Sequence, residues 1–230
     1  DFSLADIIPG QGAIILVDKP RGPSSHQVAA WVREMTGVSS VGHTGTLDPP
    51  VSGVLVVLLG RAVRLTTILH QDEKEYIALL RLQGDVPDAE LCKVIEHFTG
   101  RMYQRPPKRS AVKRALRIRE IHELEILDRD GRLVLLRVKC DSGTYIRSLC
   151  HHIGLACGVG GAMVELRRTR SGPFHEKDCV TLHSLHDAVE RARDGDEESL
   201  RKIVRSPLEA LEGFPRIYMK ESAADAVCHG

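Results

Sequence analysis

The sequence predicts an α/β (α+β) fold in which strands and helices alternate along the chain. Residues 54–59 form a wholly apolar run of strand length between two glycines, which is typical of a strand buried on both faces. Residues 24–37 have a helix start signal, helical apolar spacing and a terminal glycine. Residues 116–128 and 133–141 read as a hairpin closed at Arg129-Asp130-Gly131. With 42% apolar residues, a chain of 230 residues can form a sizeable core.

The first part of the chain predicts a strand, a tight loop and a helix. The strand covers residues 12–18, and the two prolines of residues 19–23 predict the loop. Ser24 and Gln27 fit a capping box, and Gly37 is expected to end the helix. These elements lead directly to a stretch with no regular period.

That stretch, residues 41–64, places one carboxylate in a loop. The Asp48-Pro49 step disfavours the α region for the aspartate, while Gly42 and Gly45 let the backbone approach a partner closely. The apolar strand of residues 53–60 follows at once. The sequence therefore predicts a loop carrying Asp48 that is attached to rigid core.

The later elements follow the same alternation. Residues 61–70 have helical spacing, residues 74–83 read as a strand, and Asp88 is expected to cap a helix that ends at Gly100. A helix is expected from Ile146 to Ile153 and to end in the glycine-rich residues 158–161. The last fifty residues, 180–230, are predicted to be helical and acidic.

Charge is unevenly distributed although the net charge is only +1. Between Arg101 and Glu120 there are eight Lys or Arg residues and one acid, whereas residues 178–212 contain nine acids and five bases. A basic segment on a nearly neutral chain indicates a local binding surface for an anionic polymer. The alternative is a strand edge protected by charge against aggregation.

The six cysteines contain no C-x-x-C pair, and their spacing matches no common zinc arrangement. Cys150 shares a predicted helical face with Leu149 and Ile153, so a small core residue is expected there. We expect reduced thiols, no metal and no cofactor. No segment resembles a membrane span or a signal peptide, which predicts no membrane partner and a cytoplasmic protein, or a nucleolar one in a eukaryotic cell.

The string GHTGTLDPxxxGxLxxxLGxAxRL, which begins at Gly42, resembles motif II of the pseudouridine synthases of the tRNA pseudouridine synthase B type, a family that includes dyskerin and its archaeal relatives. The resemblance extends from Gly12 to about Gly230. It implies one catalytic domain over residues 1–230, with two subdomains around one cleft as the alternative. The implied core is a central, mixed and mostly antiparallel sheet flanked by helices. It also implies that Asp48 is the catalytic residue.

Further motifs carry the resemblance to other residues. DKPxGxSS resembles motif I, which supports the catalytic loop, and we expect its Lys19 to contact RNA. Tyr76 matches the tyrosine that stacks on the target base, and Leu166 in ELRRTRSGPF matches the apolar residue on the opposite side of that base. SGTYIRSL resembles motif III, in which the arginine, here Arg147, pairs with the catalytic aspartate. His43 is expected to fill the space of the displaced base or to hold the displaced strand, against the alternative of a solvated loop histidine.

The chemistry implied for Asp48 and Arg147 requires a charged carboxylate in a largely apolar pocket. Burial raises the pKa of a carboxyl group, and a nearby guanidinium lowers it. The Asp48 carboxylate can act as a nucleophile at C1′ or as a base at C2′, and the sequence does not distinguish the two roles.

The segment RPPxxSAVKRxLRxR resembles the dyskerin branch more closely than the bacterial transfer RNA enzymes. We expect it to contact RNA phosphates through four cations, Lys108, Arg109, Lys113 and Arg114. The resemblance implies an isomerase acting on ribosomal RNA with an H/ACA guide RNA and the small H/ACA protein subunits, or on the T-arm uridine of transfer RNA.

Two other functions remain open at this stage: a catalytically silent RNA scaffold, and a nucleoside hydrolase, which would be expected to carry a second carboxylate. Relatives usually continue into a PUA domain after about this point, and we expect stable binding of guide or transfer RNA to require that domain. A start without Met is typical of a partial chain.

Overall fold

The computed structural model describes residues 7, 8, 10, 12–70, 72–106, 115–215, 218–220, 223 and 227. The predicted cations Lys108, Arg109, Lys113 and Arg114 lie outside the described residues. No helix in the described part of the chain is long and apolar enough to cross a bilayer.

The fold is built on one large sheet with helices packed against it. The strands are β1 Ala13–Lys19, β2 Val41–Thr44, β3 Ser52–Leu59, β4 Lys74–Leu82, β5 Gly100–Gln104, β6 Arg117–Asp130, β7 Leu133–Cys140, β8 Gly161–Ser171 and β9 Phe174–His175. The helices are α1 Ser25–Thr36, α2 Thr66–Leu69, α3 Asp88–His97, α4 Ile146–Ala156, α5 Leu182–Arg193 and α6 Glu198–Ile203.

Strand order along the described sheet is β1-β3-β8-β4-β7-β6-β5, with β2 paired to β3 and β9 paired to β8. Every pairing of named strands is antiparallel except β3 with β8, which is parallel and covers only Ser52↔Arg167 and Gly53↔Arg168. The expected mixed, mostly antiparallel sheet is therefore confirmed. The short parallel contact joins two larger sheet halves at β8.

The two halves of the sheet are covered differently. In the β1–β3 half, β3 is almost entirely buried, because α1 and α5 pack on one face and the segment around α2 packs on the other. In the other half, β7 alternates between half-buried and buried residues, and its buried face packs against α3 and α4. Alternation of this kind is typical of an antiparallel sheet with one wetted face.

The local signals of the sequence agree with most elements. Ser24 caps α1 by accepting a hydrogen bond from the Gln27 amide at 3.1 Å, and Gly37 ends the helix at a φ of 69°. The predicted hairpin corresponds to β6 and β7, and Cys150 is fully buried on α4 as expected.

Two local predictions were wrong. Asp88 is the first residue of α3 rather than its cap, because its carboxylate accepts from the Arg129 guanidinium instead of from the helix amides. The helix expected over residues 61–70 is divided into a 3₁₀ segment, Gly60–Leu65, and the short α2, Thr66–Leu69.

Candidate active site

The candidate site lies where the two sheet halves meet. On β8, Arg168 pairs with Gly53 of β3 on one side and with Tyr76 of β4 on the other. Gly53 has a φ of 112°, and a Cβ at this position would lie 2.0 Å from the Arg168 carbonyl oxygen. Only glycine permits this approach, so the glycine of the motif holds the strand that follows the Asp48 loop against β8.

Asp48 begins a tight turn at the end of the loop. Its carbonyl accepts a hydrogen bond from the Val51 amide at 2.9 Å, and the turn residues between them are Pro49 and Pro50. Proline favours the second position of such a turn because its ring fixes φ. The Asp48 side chain is thereby presented in an exposed position, while its neighbour Leu47 is buried.

Two side chains from the β1–α1 segment hold this loop in place. Ser25 Oγ donates to the Leu47 carbonyl and accepts from the Leu47 amide, both at 2.8 Å. Lys19 Nζ donates to the carbonyl oxygens of Pro20, Pro23 and Pro49 at 2.8, 2.7 and 3.2 Å. The hydrogen bonds of Ser25 and Lys19 therefore support the loop, as expected for this segment.

The expectation that Lys19 contacts RNA is contradicted by this geometry. The residue is 0% exposed, and its three ammonium protons are already donated to backbone carbonyls. Burial lowers the pKa of Lys19, and the Asp48 charge partly opposes that shift. Lys19 is a loop-stabilising residue, and local sequence could not distinguish this role from that of a surface cation.

Arg168 is a site residue that the motif reading missed. It is 1% exposed, and its guanidinium donates to the Val54 carbonyl at 2.9 Å and to the Gly45 carbonyl. It also forms a side-chain hydrogen bond with Tyr76. The signal available in the sequence was the Arg167-Arg168 pair on a strand, since alternation directs one of two adjacent arginines inward.

Tyr76 and Leu166 lie together on the buried face of the sheet. Leu166 is 8% exposed and pairs with Ala78, while the half-buried Tyr76 packs against the same apolar cluster. Burial raises the pKa of Tyr76 above its ordinary value, although the charge and hydrogen bond of Arg168 oppose the shift. The phenol therefore stays protonated at neutral pH. The Asp48 charge is close enough to raise the Tyr76 pKa as well.

The pairing expected between Asp48 and Arg147 is absent from the described structure. Arg147 is exposed in the first turn of α4, and no described carboxylate lies within ion-pair distance of it. The expectation of a buried, paired carboxylate therefore disagrees with the described structure, in which Asp48 and Arg147 are both exposed. The physical reason is the turn at Pro49-Pro50, which places the Asp48 side chain at the solvent-facing end of the loop.

His43 lies beside the Asp48 loop, as expected from its position in the sequence. Its Nε2 is 3.2 Å from Thr46 Oγ1, and its ring meets that of His26 edge to face at 4.7 Å between centroids. Burial, followed by the nearby charges of His26 and Arg168, lowers the pKa of His43. The imidazole is therefore neutral at pH 7.

These residues form a site suited to chemistry on a flat ring. The exposed Asp48 carboxylate is carried by a loop whose backbone carbonyls accept hydrogen bonds from two buried cations, Lys19 and Arg168. The Tyr76 ring is close enough for the Asp48 charge to raise its pKa, and Leu166 packs in the same apolar cluster as Tyr76. In the described part of the chain, no group of three or more His, Cys, Asp or Glu residues could hold a metal ion.

Comparison with known families and proteins gives a consistent result. A model described as the N-terminal domain of the TruB family of pseudouridylate synthases matches residues 33–146. A model of the tRNA pseudouridylate synthase B C-terminal domain matches residues 147–212. The chain is 52% identical over 218 residues to a probable tRNA pseudouridine synthase B of Methanocaldococcus jannaschii, covering 94% of this chain and 65% of that relative. It thus spans slightly less than two thirds of this relative's length.

Solved structures resemble the chain closely. A chain from the crystal structure of a Cbf5-Nop10-Gar1 complex superposes with a TM-score of 0.92 at 50% identity, covering 96% of this chain and 68% of that one. A chain from an H/ACA ribonucleoprotein bound to a substrate RNA containing 2′-deoxyuridine gives a TM-score of 0.89 at 47% identity, covering 96% and 67%.

Proposed function

Because this chain belongs to the TruB family of pseudouridine synthases, we propose that it isomerises a uridine within RNA to pseudouridine. The observation that carries the proposal is the presentation of Asp48 on a fixed turn beside Tyr76 and Leu166. Support for this grouping comes from the effect of the Asp48 charge on the Tyr76 pKa and from the packing of Tyr76 and Leu166 in one apolar cluster.

The reaction breaks the bond between N1 of the base and C1′ of the ribose, turns the base, joins C5 to C1′ and removes the C5 proton. A carboxylate such as that of Asp48 can attack C1′ or remove the C2′ proton, and both routes remain open. Either route requires an ionised carboxylate at a fixed position. Ser25 and Lys19 provide that position through the backbone of the loop.

The target base must leave its stack to reach Asp48. Tyr76 offers an aromatic ring on which the base can stack, which contributes about 1–3 kcal/mol per base. Leu166 closes the other side of the base. The Arg168 guanidinium has no acceptor atom, so in its bond with Tyr76 the phenol oxygen accepts and the phenol proton remains free to be donated to the substrate.

We propose that the substrate is ribosomal RNA selected by an H/ACA guide RNA together with small H/ACA proteins. The support is the 50% and 47% identity to chains solved in H/ACA assemblies, one of them with substrate RNA. The T-arm uridine of transfer RNA is the second candidate, favoured by the name of the relative from Methanocaldococcus jannaschii.

The surface proposed to bind RNA includes a basic edge, defined as Arg101, Arg105 and Arg117, which are exposed on and around the edge strand β5 and its neighbour β6. Tyr103 is 68% exposed on the same edge and pairs in register with the exposed Ile118. Cations and an exposed aromatic ring are the combination that single-stranded RNA binds. The undescribed cations Lys108, Arg109, Lys113 and Arg114 lie between these two strands in sequence.

Product analysis on RNA carrying radiolabelled uridine tests the proposal. The chain is incubated with ribosomal and transfer RNA fragments, with and without guide RNA, and the nucleosides are separated by chromatography. Labelled pseudouridine is the expected product. Free uracil would identify a hydrolase instead, and unchanged uridine in every RNA that binds would identify a silent scaffold.

A further inference from the structure

A groove beside the active site has no role in the proposed chemistry. Its volume is about 470 Å³, within the roughly 300–1,000 Å³ typical of small-ligand sites. It lies between one face of α1, the strand β2 and the start of α2. Its lining includes His26, Ala29, Ala30 and Arg33 from α1, and Gly42 and His43 from β2.

The groove is suited to an anion. Arg33 is exposed, and among the described residues its guanidinium has no ion-pair or hydrogen-bond partner. No Asp or Glu is present among the described residues that line the groove. Many other surface cations of the described chain are paired, such as Arg132 with Asp85 at 2.8 Å and Lys202 with Glu198 at 2.7 Å. Arg33 therefore offers an unpartnered positive charge at the rim of a cavity.

The floor of the groove is suited to a sugar or a base. Ala29, Ala30 and Gly42 project little beyond the backbone, so a flat group can approach closely. His26 and His43 meet edge to face at one end of the groove. Arg33 lies seven positions after His26, about 10 Å along the helix axis. The groove thus has imidazole rings at one end and a guanidinium at the other.

The groove adjoins the Asp48 loop through His43. His43 lines it and also contacts Thr46, which lies two residues before Asp48 in the same loop. A uridine extruded towards Asp48 remains joined to its neighbours by phosphodiester bonds, so the adjacent nucleotide must lie near this loop.

We propose that the groove binds the nucleotide next to the target uridine, with its phosphate on Arg33 and its sugar or base against Ala29 and Ala30. The inference rests on the proposed function. It commits to RNA as the occupant because the groove combines an unpartnered cation, small floor residues and proximity to the Asp48 loop.

The test uses the RNA on which the full chain forms pseudouridine, and two variants that act differently on the groove. Arg33→Gln removes the charge, and Ala30→Leu fills the space, while both residues stay compatible with a helix. Arg191→Gln is the matched control, since Arg191 is exposed on α5 and does not line the groove. Circular dichroism checks that all three variants fold.

Arg33→Gln is expected to weaken RNA binding about tenfold, the effect of losing one charge-assisted hydrogen bond. Ala30→Leu is also expected to weaken binding, because its larger side chain occupies the space of the sugar or base. Arg33→Gln should also reduce the slope of log affinity against log salt by about 0.7, the value for one single-strand phosphate. Ala30→Leu should leave that slope unchanged because it removes space and not charge. Arg191→Gln should bind like the unaltered chain.

Neutral phosphate linkages identify the contact itself. A methylphosphonate placed at one linkage flanking the target uridine should weaken binding to the unaltered chain but should cause no additional loss in Arg33→Gln. Equal losses in both proteins at every linkage would overturn the proposal, as would Arg33→Gln and Ala30→Leu variants that bind like Arg191→Gln. An absence of pseudouridine in every RNA would instead contradict the proposed function, so the two failures are distinguishable.

Discussion

At the scale of single residues, Asp48 is exposed and makes no side-chain contact on which the described fold depends. The structure anchors its loop through backbone groups, the carbonyls of Leu47, Pro49 and Gly45. Because backbone groups hold the loop, the Asp48 side chain can be replaced without disturbing the loop.

Asp48→Asn is expected to abolish pseudouridine formation, with a loss of at least about a thousandfold, because the amide is neither nucleophilic nor basic. The free energy of unfolding should change by less than about 0.5 kcal/mol, as is usual for exposed sites. Filter binding should detect unchanged RNA affinity. Asp187→Asn on the exposed side of α5 is the control, and substantial turnover by the Asp48 variant would exclude this residue from the mechanism.

Arg147 differs from Asp48, since the catalytic role proposed for it rests on the family resemblance alone and its pair with Asp48 is absent from the described structure. Arg147→Ala should therefore leave the free energy of unfolding within about 0.5 kcal/mol of the unaltered chain. Turnover of bound RNA should nevertheless fall if the guanidinium meets the Asp48 carboxylate once substrate is present. Single-turnover rates at saturating enzyme separate the two effects, and an unchanged rate would show that Arg147 takes no part.

Arg168 is the residue whose removal should damage both stability and activity. Arg168→Met leaves the buried Val54 carbonyl and the half-buried Gly45 carbonyl without this donor, so we expect a loss of about 3 kcal/mol in the free energy of unfolding. Arg167→Met is the matched control, because Arg167 lies on the opposite face and is partly exposed beside Asp18. Its loss should be about 1 kcal/mol. Urea unfolding measures the free energy of unfolding of each variant. Equal losses in Arg168→Met and Arg167→Met would contradict the role assigned to Arg168.

At the scale of elements, most strands and helices are predictable because their signals are local. Ser24 and Gly37 define α1 from within a few residues, and alternation around Gly131 defines the β6–β7 hairpin. The contact between Arg168 and Gly45 joins residues 123 positions apart, and no periodicity encodes it. Sheet order and the burial of Lys19 were unpredictable for the same reason, whereas strand alternation could have indicated that one of Arg167 and Arg168 faces inward.

Strand β4 contains a feature that its local sequence does not explain. Lys74 begins the strand, is only 4% exposed, and its Nζ has no hydrogen-bond partner among the described residues. Burial and the nearby Arg168 charge lower the pKa of Lys74 to about 8, against smaller opposing effects of Asp72 and Cys140. A buried ammonium without a partner destabilises the fold.

The variant Lys74→Met should therefore stabilise the protein at pH 7, by a shift equivalent to about 3 kcal/mol at most. The pKa of Lys74 is lower in the folded state, so the unfolded chain binds more protons between about pH 8 and pH 10.5. The free-energy cost of burying the charged Lys74 is therefore complete below about pH 8 and disappears as pH rises towards 10.5. The higher free energy of unfolding of Lys74→Met should therefore disappear between about pH 8 and pH 10.5.

Urea unfolding at pH 7 and at pH 10 measures this difference for Lys74→Met against the unaltered chain. Lys93→Met, on the exposed side of α3, is the control and should have no comparable effect. A variant less stable than the unaltered chain at pH 7 would show that Lys74 has a compensating partner. A stabilised variant that forms pseudouridine more slowly would indicate that the buried charge is retained for function.

At the scale of the whole molecule, the site is placed by the junction of two sheet halves, and the RNA surface is placed by charge. The basic edge follows β5 and β6 at one end of the sheet, whereas β1 is the strand at the other end. The proposed mechanism reads one extruded base, and phosphate contacts carry no sequence information. Choice of the target uridine therefore requires a contribution beyond these contacts.

The last prediction is that the chain alone binds RNA without selecting a single uridine. If about five cations touch single-stranded phosphates, log affinity should fall against log salt with a slope near −3.5. Neutral replacements at Lys108, Arg109, Lys113 and Arg114 should flatten the slope, and the same changes at Arg105 and Arg117 test the described part of the edge.

Modified uridines are then mapped in a mixture of ribosomal fragments with and without a guide RNA. Modification should spread over several sites without the guide and concentrate at one site with it, because base pairing supplies the missing register. Efficient modification of one site by the chain alone would contradict this prediction and would require direct sequence readout by the protein.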